Sequence, residues 1–241
     1  MKFKNVLILR PKEQIDELKN ELLKIGLNPI AIPSIELIPN FEEIDNAINE
    51  IENYDILIFT SANAVKFTLS RVNNFDIFKN IKIAVIGPKT EKALKSFHLN
   101  AHFMPDKFIS DEIVNVLNEL KNKKIILFRS DLARKDLVIY LKNKGAIVKE
   151  IVAYKTIILN IKDKLKEAFE NGIDLVIFTS SSTVISFLNS IENKEVLKNL
   201  KFICIGPITR KTAMENGLNV DYMADEYNIE GIIKKIKEVM I

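Results

Sequence analysis

The second half of this chain restates the first at a fixed offset of 119 residues, and that repeat limits the possible folds more than any other feature. Arg10 recurs as Arg129, Gly26 as Gly145, Asp55 as Asp174 and Thr60-Ser61 as Thr179-Ser180. Val65 recurs as Val184, Gly87-Pro88 as Gly206-Pro207 and Thr90 as Thr209. The series ends with Leu99-Asn100 and Leu218-Asn219, Met104 and Met223, Asp106 and Asp225. A constant offset means no net insertion, so two copies of one supersecondary plan cover nearly all 241 residues. Two unrelated halves would not keep one register over that length.

Within the first copy, short apolar runs bounded by polar or turn residues read as strands buried on both faces. They are Val6–Leu9, Pro29–Ile38, Asp55–Phe59 and Ile81–Ile86, with a last short strand expected at His102–Met104. Helices fall between them: one carrying Ile15, Leu18 and Leu22 and stopped by Gly26, one over Ile44–Ile51, one over Asn63–Leu69 and one from about Thr90. Ser110 is expected to cap a final helix that turns Ile113, Val114 and Leu117 inward. The second copy repeats the plan with strands at Ile125–Phe128, Ile147–Thr156, Asp174–Phe178, Phe202–Ile205 and Val220–Met223. It has a helix through Leu137 and Leu141 closed by Gly145, and a closing helix over Ile229–Val239. Alternation of strand and helix implies an α/β fold: two domains related by duplication, each a parallel sheet with helices on both faces. Two such sheets are expected to face each other across a cleft, and with no Gly- or Pro-rich linker the domains should be joined by extended segments.

Composition excludes several classes. A net charge of +3 is too small to imply nucleic-acid binding, and no apolar run approaches a membrane span. A single cysteine rules out an internal disulfide framework and suits a reducing cytoplasm. The apolar run at the start is too short for a secretory leader. Cys204 lies inside an apolar strand and reads as core. The two histidines, His98 and His102, have no partners at metal-ligand spacing, and neither a G-x-G-x-x-G nor a P-loop pattern is present. No metal or cofactor is therefore expected.

The polar residues concentrate where strands give way to helices, and in open parallel sheets ligands bind at those carboxyl ends. The first copy places Arg10-Pro11, Thr60-Ser61-Ala62-Asn63 and Gly87-Pro88-Lys89-Thr90 there. The second places Arg129-Ser130, Thr179-Ser180-Ser181-Ser182 and Gly206-Pro207-Ile208-Thr209. Hydroxyls, an amide and free N–H groups at helix starts suit carboxylates or phosphates. A Ser or Thr at a helix start also serves as a cap, and the residues alone leave both roles open.

Leu7-Ile8-Leu9-Arg10-Pro11, Phe59-Thr60-Ser61-Ala62-Asn63-Ala64-Val65, Val85-Ile86-Gly87-Pro88-Lys89-Thr90, Val152-Ala153-Tyr154-Lys155-Thr156 and Ile205-Gly206-Pro207-Ile208-Thr209 form an ordered set. Together they resemble the uroporphyrinogen-III synthase family over the full length. The resemblance implies a lyase of porphyrin (heme) biosynthesis. The enzyme would dehydrate hydroxymethylbilane, a linear tetrapyrrole with eight carboxylates, and close it with inversion of the last ring through a spirocyclic intermediate, without a cofactor. It also implies a cytoplasmic monomer with two α/β domains joined by a two-stranded ladder and substrate held between them. The domains would comprise residues 1–35 with 156–241, and 36–155; the repeat alone suggests a simple tandem split near Leu120.

On the same resemblance, Tyr154 is the candidate catalytic proton donor; its counterpart in the first copy is Ile35, and a packed tyrosine with its hydroxyl in water is the alternative. Arg10, Thr60, Ser61, Asn63, Thr90, Arg129, Thr179, Ser180, Ser181 and Thr209 are the candidate substrate-binding residues. Lys12, Lys66, Lys89, Arg134, Lys155 and Arg210 lie near strand ends and could add positive charge. Ile208, the Ser181-Ser182 pair and the Phe128-Arg129-Ser130-Asp131 loop depart from the family pattern. Two other readings remain: a two-domain binding protein for an anionic metabolite, and a phosphosugar or nucleotide enzyme working through helix N-termini.

Overall fold

The principal strands keep the repeat offset residue for residue. Strand β1 (Asn5–Pro11) corresponds to β5 (Lys124–Ser130), β2 (Asn28–Pro39) to β6 (Ile147–Ile158), β3 (Ile56–Phe59) to β7 (Leu175–Phe178), and β4 (Lys82–Val85) to β8 (Lys201–Cys204). The structure is a computed structural model that describes residues 3–105, 112–117 and 119–240. Helices separate the strands: α1 (Ile15–Lys24), α2 (Phe41–Asn49), α3 (Ala62–Leu69), α4 (Pro88–Lys95), the short α5 (Ile113–Val116), α6 (Asp136–Asn143), α7 (Lys162–Glu170), α8 (Ser181–Asn189), α9 (Pro207–Glu215) and α10 (Ile229–Met240).

The pairing exchanges the two copies. Strand β1 pairs in parallel with β2 on one side and with β7, a strand of the other copy, on its second side. Strand β7 continues to β8, and β8 to the short β9 (Tyr222–Met223). Among the remaining strands β6 pairs with β5, β5 with β3 and β3 with β4, all in parallel. Chain contacts accordingly divide the protein into unit 1, Met1–Glu36 with Ile157–Ile241, and unit 2, Leu37–Thr156. A tandem division near Leu120 does not describe these contacts. Strands β2 and β6 each run through the boundary from one unit into the other.

Strand alternation supplies each sheet with two buried faces. In unit 1, Leu7, Leu9, Val176 and Phe178 share a core with Val184 and Phe187 of α8. Their neighbours Val6, Ile8, Leu175 and Ile177 pack with Leu18 and Leu22 of α1 and Ile232, Ile233 and Ile236 of α10. In unit 2, Leu57, Phe59, Ile126 and Phe128 pack against Ile44 of α2 and Val65 and Leu69 of α3. Ile56, Ile58, Ile125 and Leu127 meet Leu137 and Leu141 of α6 and Ile113 of α5. A fully buried Leu, Ile or Phe contributes about 1.5–3 kcal/mol, so these four layers hold the sheets in register.

Repeated polar residues fasten the strand starts. The Asp174 carboxylate accepts from the Lys4 and Asn5 N–H groups (2.7 and 2.8 Å), and its counterpart Asp55 accepts from the Lys124 N–H (2.8 Å). The His102 Nδ1 accepts from the Ile83 N–H (3.0 Å), while Asp221, at the matching position, accepts from the Phe202 N–H (3.0 Å). His102 is thus an edge acceptor for β4. Gly26 and Gly145, at φ 78° and 85°, end α1 and α6 in the left-handed region that glycine tolerates.

Several expected elements differ. The strand over His102–Met104 reduces to one bridge between Ala84 and Phe103, since the chain leaves the sheet edge after a single rung. Strand β9 is likewise two residues rather than Val220–Met223. The helix placed at Ile44–Ile51 starts at Phe41 and ends at Asn49, with Ile51–Asn53 in a tighter 3₁₀ turn. The expected cap Ser110 lies outside the described residues.

Candidate active site

Tyr154 sits near the end of the exposed-to-buried alternation of β6 and is 6% exposed. Its ring packs on Phe67 (centroids 5.6 Å apart) within the α3-side core. Its hydroxyl lies 3.1 Å from the Ser61 Oγ. Ser61 is also the N-cap of α3, where its Oγ accepts from the Ala64 N–H at 3.1 Å. The phenol is therefore not left in water: it is tied to a helix N-terminus, where the dipole favours negative charge. Thr60 precedes this pair, its hydroxyl donating to the Phe128 carbonyl at 3.4 Å. Asn63 is half-buried in the first turn of α3, and Thr90 is buried in the first turn of α4.

Arg129, at the end of β5, is 4% exposed and spends its donors inside unit 2. Its Nη1 pairs with Glu150 Oε2 at 2.7 Å, its Nη2 donates to the Ala133 carbonyl and its Nε to the Ser130 carbonyl at 3.4 Å. The expected substrate-binding role thus meets an arginine already engaged by protein acceptors. Glu150 went unrecognised in the sequence; an acid at the repeat position that Ala31 fills in the first copy is the signal for it. Asp131 was likewise missed as a tether: its Oδ1 accepts from the Leu132 and Thr156 N–H groups at 2.9 and 3.1 Å and holds the β5 loop to β6.

Unit 1 carries the matching set. Ser180 caps α8 in a capping box with Thr183 and lies 2.9 Å from the Ser182 Oγ. Ser181 is 2.6 Å from the Thr212 hydroxyl, which in turn donates to the Ile208 carbonyl at 3.1 Å. Thr209 is buried in the first turn of α9, and Thr179 is half-buried between β7 and α8. Among the described residues the hydroxyls of Thr90, Thr179 and Thr209 have no protein partner. Tyr227, also missed, lays its ring over Gly206, where an added Cβ would lie 3.2 Å from it.

Arg10, at the end of β1, is 3% exposed, with Nη2 donating to Gln14 Oε1 at 3.1 Å. Its Nε and Nη1 are buried without a hydrogen-bond partner among the described residues, and Nη1 forms an ion pair with Glu17 at 3.8 Å. Burial lowers the affinity of this guanidinium for its proton, opposed by the charge of Glu17. Lys12, Lys66, Lys89, Arg134, Lys155 and Arg210 are all exposed, the reach expected of surface charge. Cys204 is buried in β8, and burial pushes its thiol up to about 12, against the lowering effect of Arg210, so it is an inert core residue. Among the described residues no cluster of His, Cys, Asp and Glu could hold a metal, and no helix is long and apolar enough to cross a membrane.

Among the described residues the units present hydroxyls and N–H groups at helix N-termini and one oriented phenol, with no group of His, Cys, Asp and Glu that could hold a metal. Comparisons with known proteins find relatives over nearly the whole chain. The family model described as uroporphyrinogen-III synthase HemD matches residues 16–234. The uroporphyrinogen-III synthase of Synechococcus elongatus is 27% identical over 250 residues, covering 98% of this chain and 95% of that protein. The porphyrin biosynthesis protein HemD of Ruminiclostridium josui is 28% identical over 97% of this chain, which spans 48% of that longer protein. A crystal structure of a mutant uroporphyrinogen III synthase from Thermus thermophilus shares the fold, with a TM-score of 0.70 at 16% identity and 98% coverage of both chains. With a family model spanning most of its length and its strand-end motifs in order, the chain belongs to the uroporphyrinogen-III synthase family.

Proposed function

We propose that this chain catalyses the uroporphyrinogen-III synthase reaction, closing hydroxymethylbilane with loss of water and inversion of the last ring. The observation that carries this reading is the Tyr154–Ser61 pair: a buried phenol held 3.1 Å from a hydroxyl that caps a helix. The pyrrole nitrogen expels the hydroxymethyl oxygen, and Tyr154 gives that oxygen a proton so that it leaves as water. The proton released when the closed ring regains aromaticity restores the phenol, so no net proton is consumed. Ser61 orients the phenol. Backbone N–H groups and hydroxyls at the starts of α3 and α4, in the same unit as Tyr154, bind substrate carboxylates. Catalysis then consists chiefly of holding the bilane in a folded shape, because closure without inversion is the competing path. Tyr154 works without a cofactor in this scheme.

The test is to incubate the protein with freshly made hydroxymethylbilane and separate the oxidised products by isomer. The expected product is type III; type I alone, the spontaneous isomer, overturns the proposal.

A further inference from the structure

Strand β6 carries an extra residue where Tyr154 leaves it. Against β5 its register runs from Arg129 opposite Val152 to Ser130 opposite Tyr154, so Ala153 has no place of its own in the ladder, the mark of a β-bulge. The bulge changes where the side chain goes. On a regular strand Ile151 and Ala153 share one face and Tyr154 takes the other. Here all three pack in one core with Val65 and Leu69 of α3. The bulge therefore turns Tyr154 to the side on which Ser61 caps α3, and a slip of one residue would send the phenol to the opposite face.

Asp131 fastens that bulge at two points. Its N–H donates to the Tyr154 carbonyl at 3.1 Å, and its Oδ1 accepts from the Thr156 N–H at 3.1 Å. The same oxygen accepts from the Leu132 N–H at 2.9 Å and from the Ser130 hydroxyl at 3.0 Å, so the carboxylate is itself held in place. The first copy has the same irregularity, with Arg10 opposite Pro33 and Pro11 opposite Ile35, but not the fastening residues. There Lys12 stands for Asp131, Pro11 for Ser130 and Leu37 for Thr156; a lysine offers no side-chain acceptor and a proline no hydroxyl. Ile35 fills the tyrosine's place in that copy, so the acid accompanies the tyrosine rather than the bulge.

We propose that Asp131 is a positioning residue for Tyr154: it fixes the backbone of the bulge at residues 154 and 156 and thereby the direction in which the phenol leaves β6 toward Ser61. The kinetic consequence rests on the proton-donor role given to Tyr154 above; the placement of the ring does not. Asp131 acts through the main chain, so an amide that keeps the Oδ1 acceptor can replace it, whereas loss of that acceptor frees the segment. A reacting group displaced by about 1 Å can lose about 10²-fold in rate, so a small shift of the strand suffices.

The test compares Asp131→Ala, Asp131→Asn and Asp131→Lys in the full chain, each with Tyr154 present and with Tyr154→Phe. Asp131→Lys installs the residue that the first copy carries at this position, and it decides the matter if Asp131→Ala does not fold. With hydroxymethylbilane, Asp131→Ala and Asp131→Lys should lower kcat for type III product about tenfold or more, with KM within about twofold of the parent, and Asp131→Asn should keep most of the parent rate. In the Tyr154→Phe background the same substitutions should change kcat by less than about twofold, because the hydroxyl they misplace is already gone. Equal losses with and without that hydroxyl would mark Asp131 as merely structural and overturn the proposal. The ring itself is followed by fluorine NMR of protein carrying 3-fluorotyrosine at its five tyrosines, the Tyr154 resonance being the one absent from Tyr154→Phe. That resonance should shift or broaden in Asp131→Ala and Asp131→Lys and stay in place in Asp131→Asn. A parent that forms type III product while all three variants keep its kcat and its Tyr154 resonance overturns the positioning role and leaves the function standing. A parent that yields type I product alone while the resonance still depends on Asp131 overturns the function and leaves the positioning standing.

Discussion

The Tyr154 hydroxyl and the Ser61 Oγ are 3.1 Å apart, although 93 residues separate them in the chain. The contact joins the last part of β6 to the N-cap of α3, and it gives one side chain two duties: capping the helix and orienting the phenol.

Tyr154→Phe keeps the ring against Phe67 and removes only the hydroxyl. Turnover to the type III isomer should fall by about 10²–10⁴, the usual worth of a positioned general acid, with the far-ultraviolet circular dichroism spectrum unchanged. Parent-level turnover in this variant would end the proton-donor role.

Ser61→Ala should cost about 1 kcal/mol of stability for the lost cap and should also lower kcat by freeing the phenol. Ser180→Ala, at the matching cap in unit 1, should cost a similar amount of stability with a smaller effect on kcat. Denaturant melts together with isomer-resolved kinetics separate the two serines; equal kcat losses would deny Ser61 its special link to Tyr154.

Glu150→Ala leaves the Arg129 guanidinium buried without its carboxylate. Because Glu150 is itself 35% exposed, the pair is partly screened, and a loss of about 1–3 kcal/mol is expected. A midpoint of thermal unfolding within about 1 °C of the parent would show that the pair contributes nothing net.

Asp55 is held below the usual carboxylate range, first by the Lys124 backbone N–H and then by Lys123. Its folded-state value is depressed, so its contribution is present above the unfolded-state value near 4 and disappears as pH falls through the folded-state value. Asp55→Asn should therefore be less stable than the parent at pH 7, with the gap closing as pH falls below the unfolded-state value near 4. A gap that stays constant across that window would mean that the carboxylate charge plays no part in fastening β5.

Much of the fold could be read directly from residue order. The offset between Arg10 and Arg129, kept through Asp55 and Asp174 and through Thr60 and Thr179, placed eight strands in matching pairs, because a buried strand needs an unbroken apolar run whatever its neighbours. Ser61 and Ser180 were legible as caps for the same local reason. The weak edges were not: the bridge at Phe103 and the two residues of β9 have too little apolar burial for a local pattern to mark their ends.

What the sequence determined by itself was periodic and local: two copies of an α/β plan, polar residues gathered at the strand ends, and the ordered motifs of one family. Tertiary structure alone decided which strands lie side by side, since β1 could have paired with β3 of its own copy and instead pairs with β7. It also decided that Arg129 meets Glu150 at 2.7 Å while Arg10 meets only the exposed Glu17, at 3.8 Å, among the described residues, and that Tyr154 reaches Ser61. Local propensity acts over one or two turns of chain, whereas charge neutralisation and the orientation of a phenol depend on residues that only the packed sheets bring within 3 Å or so of one another.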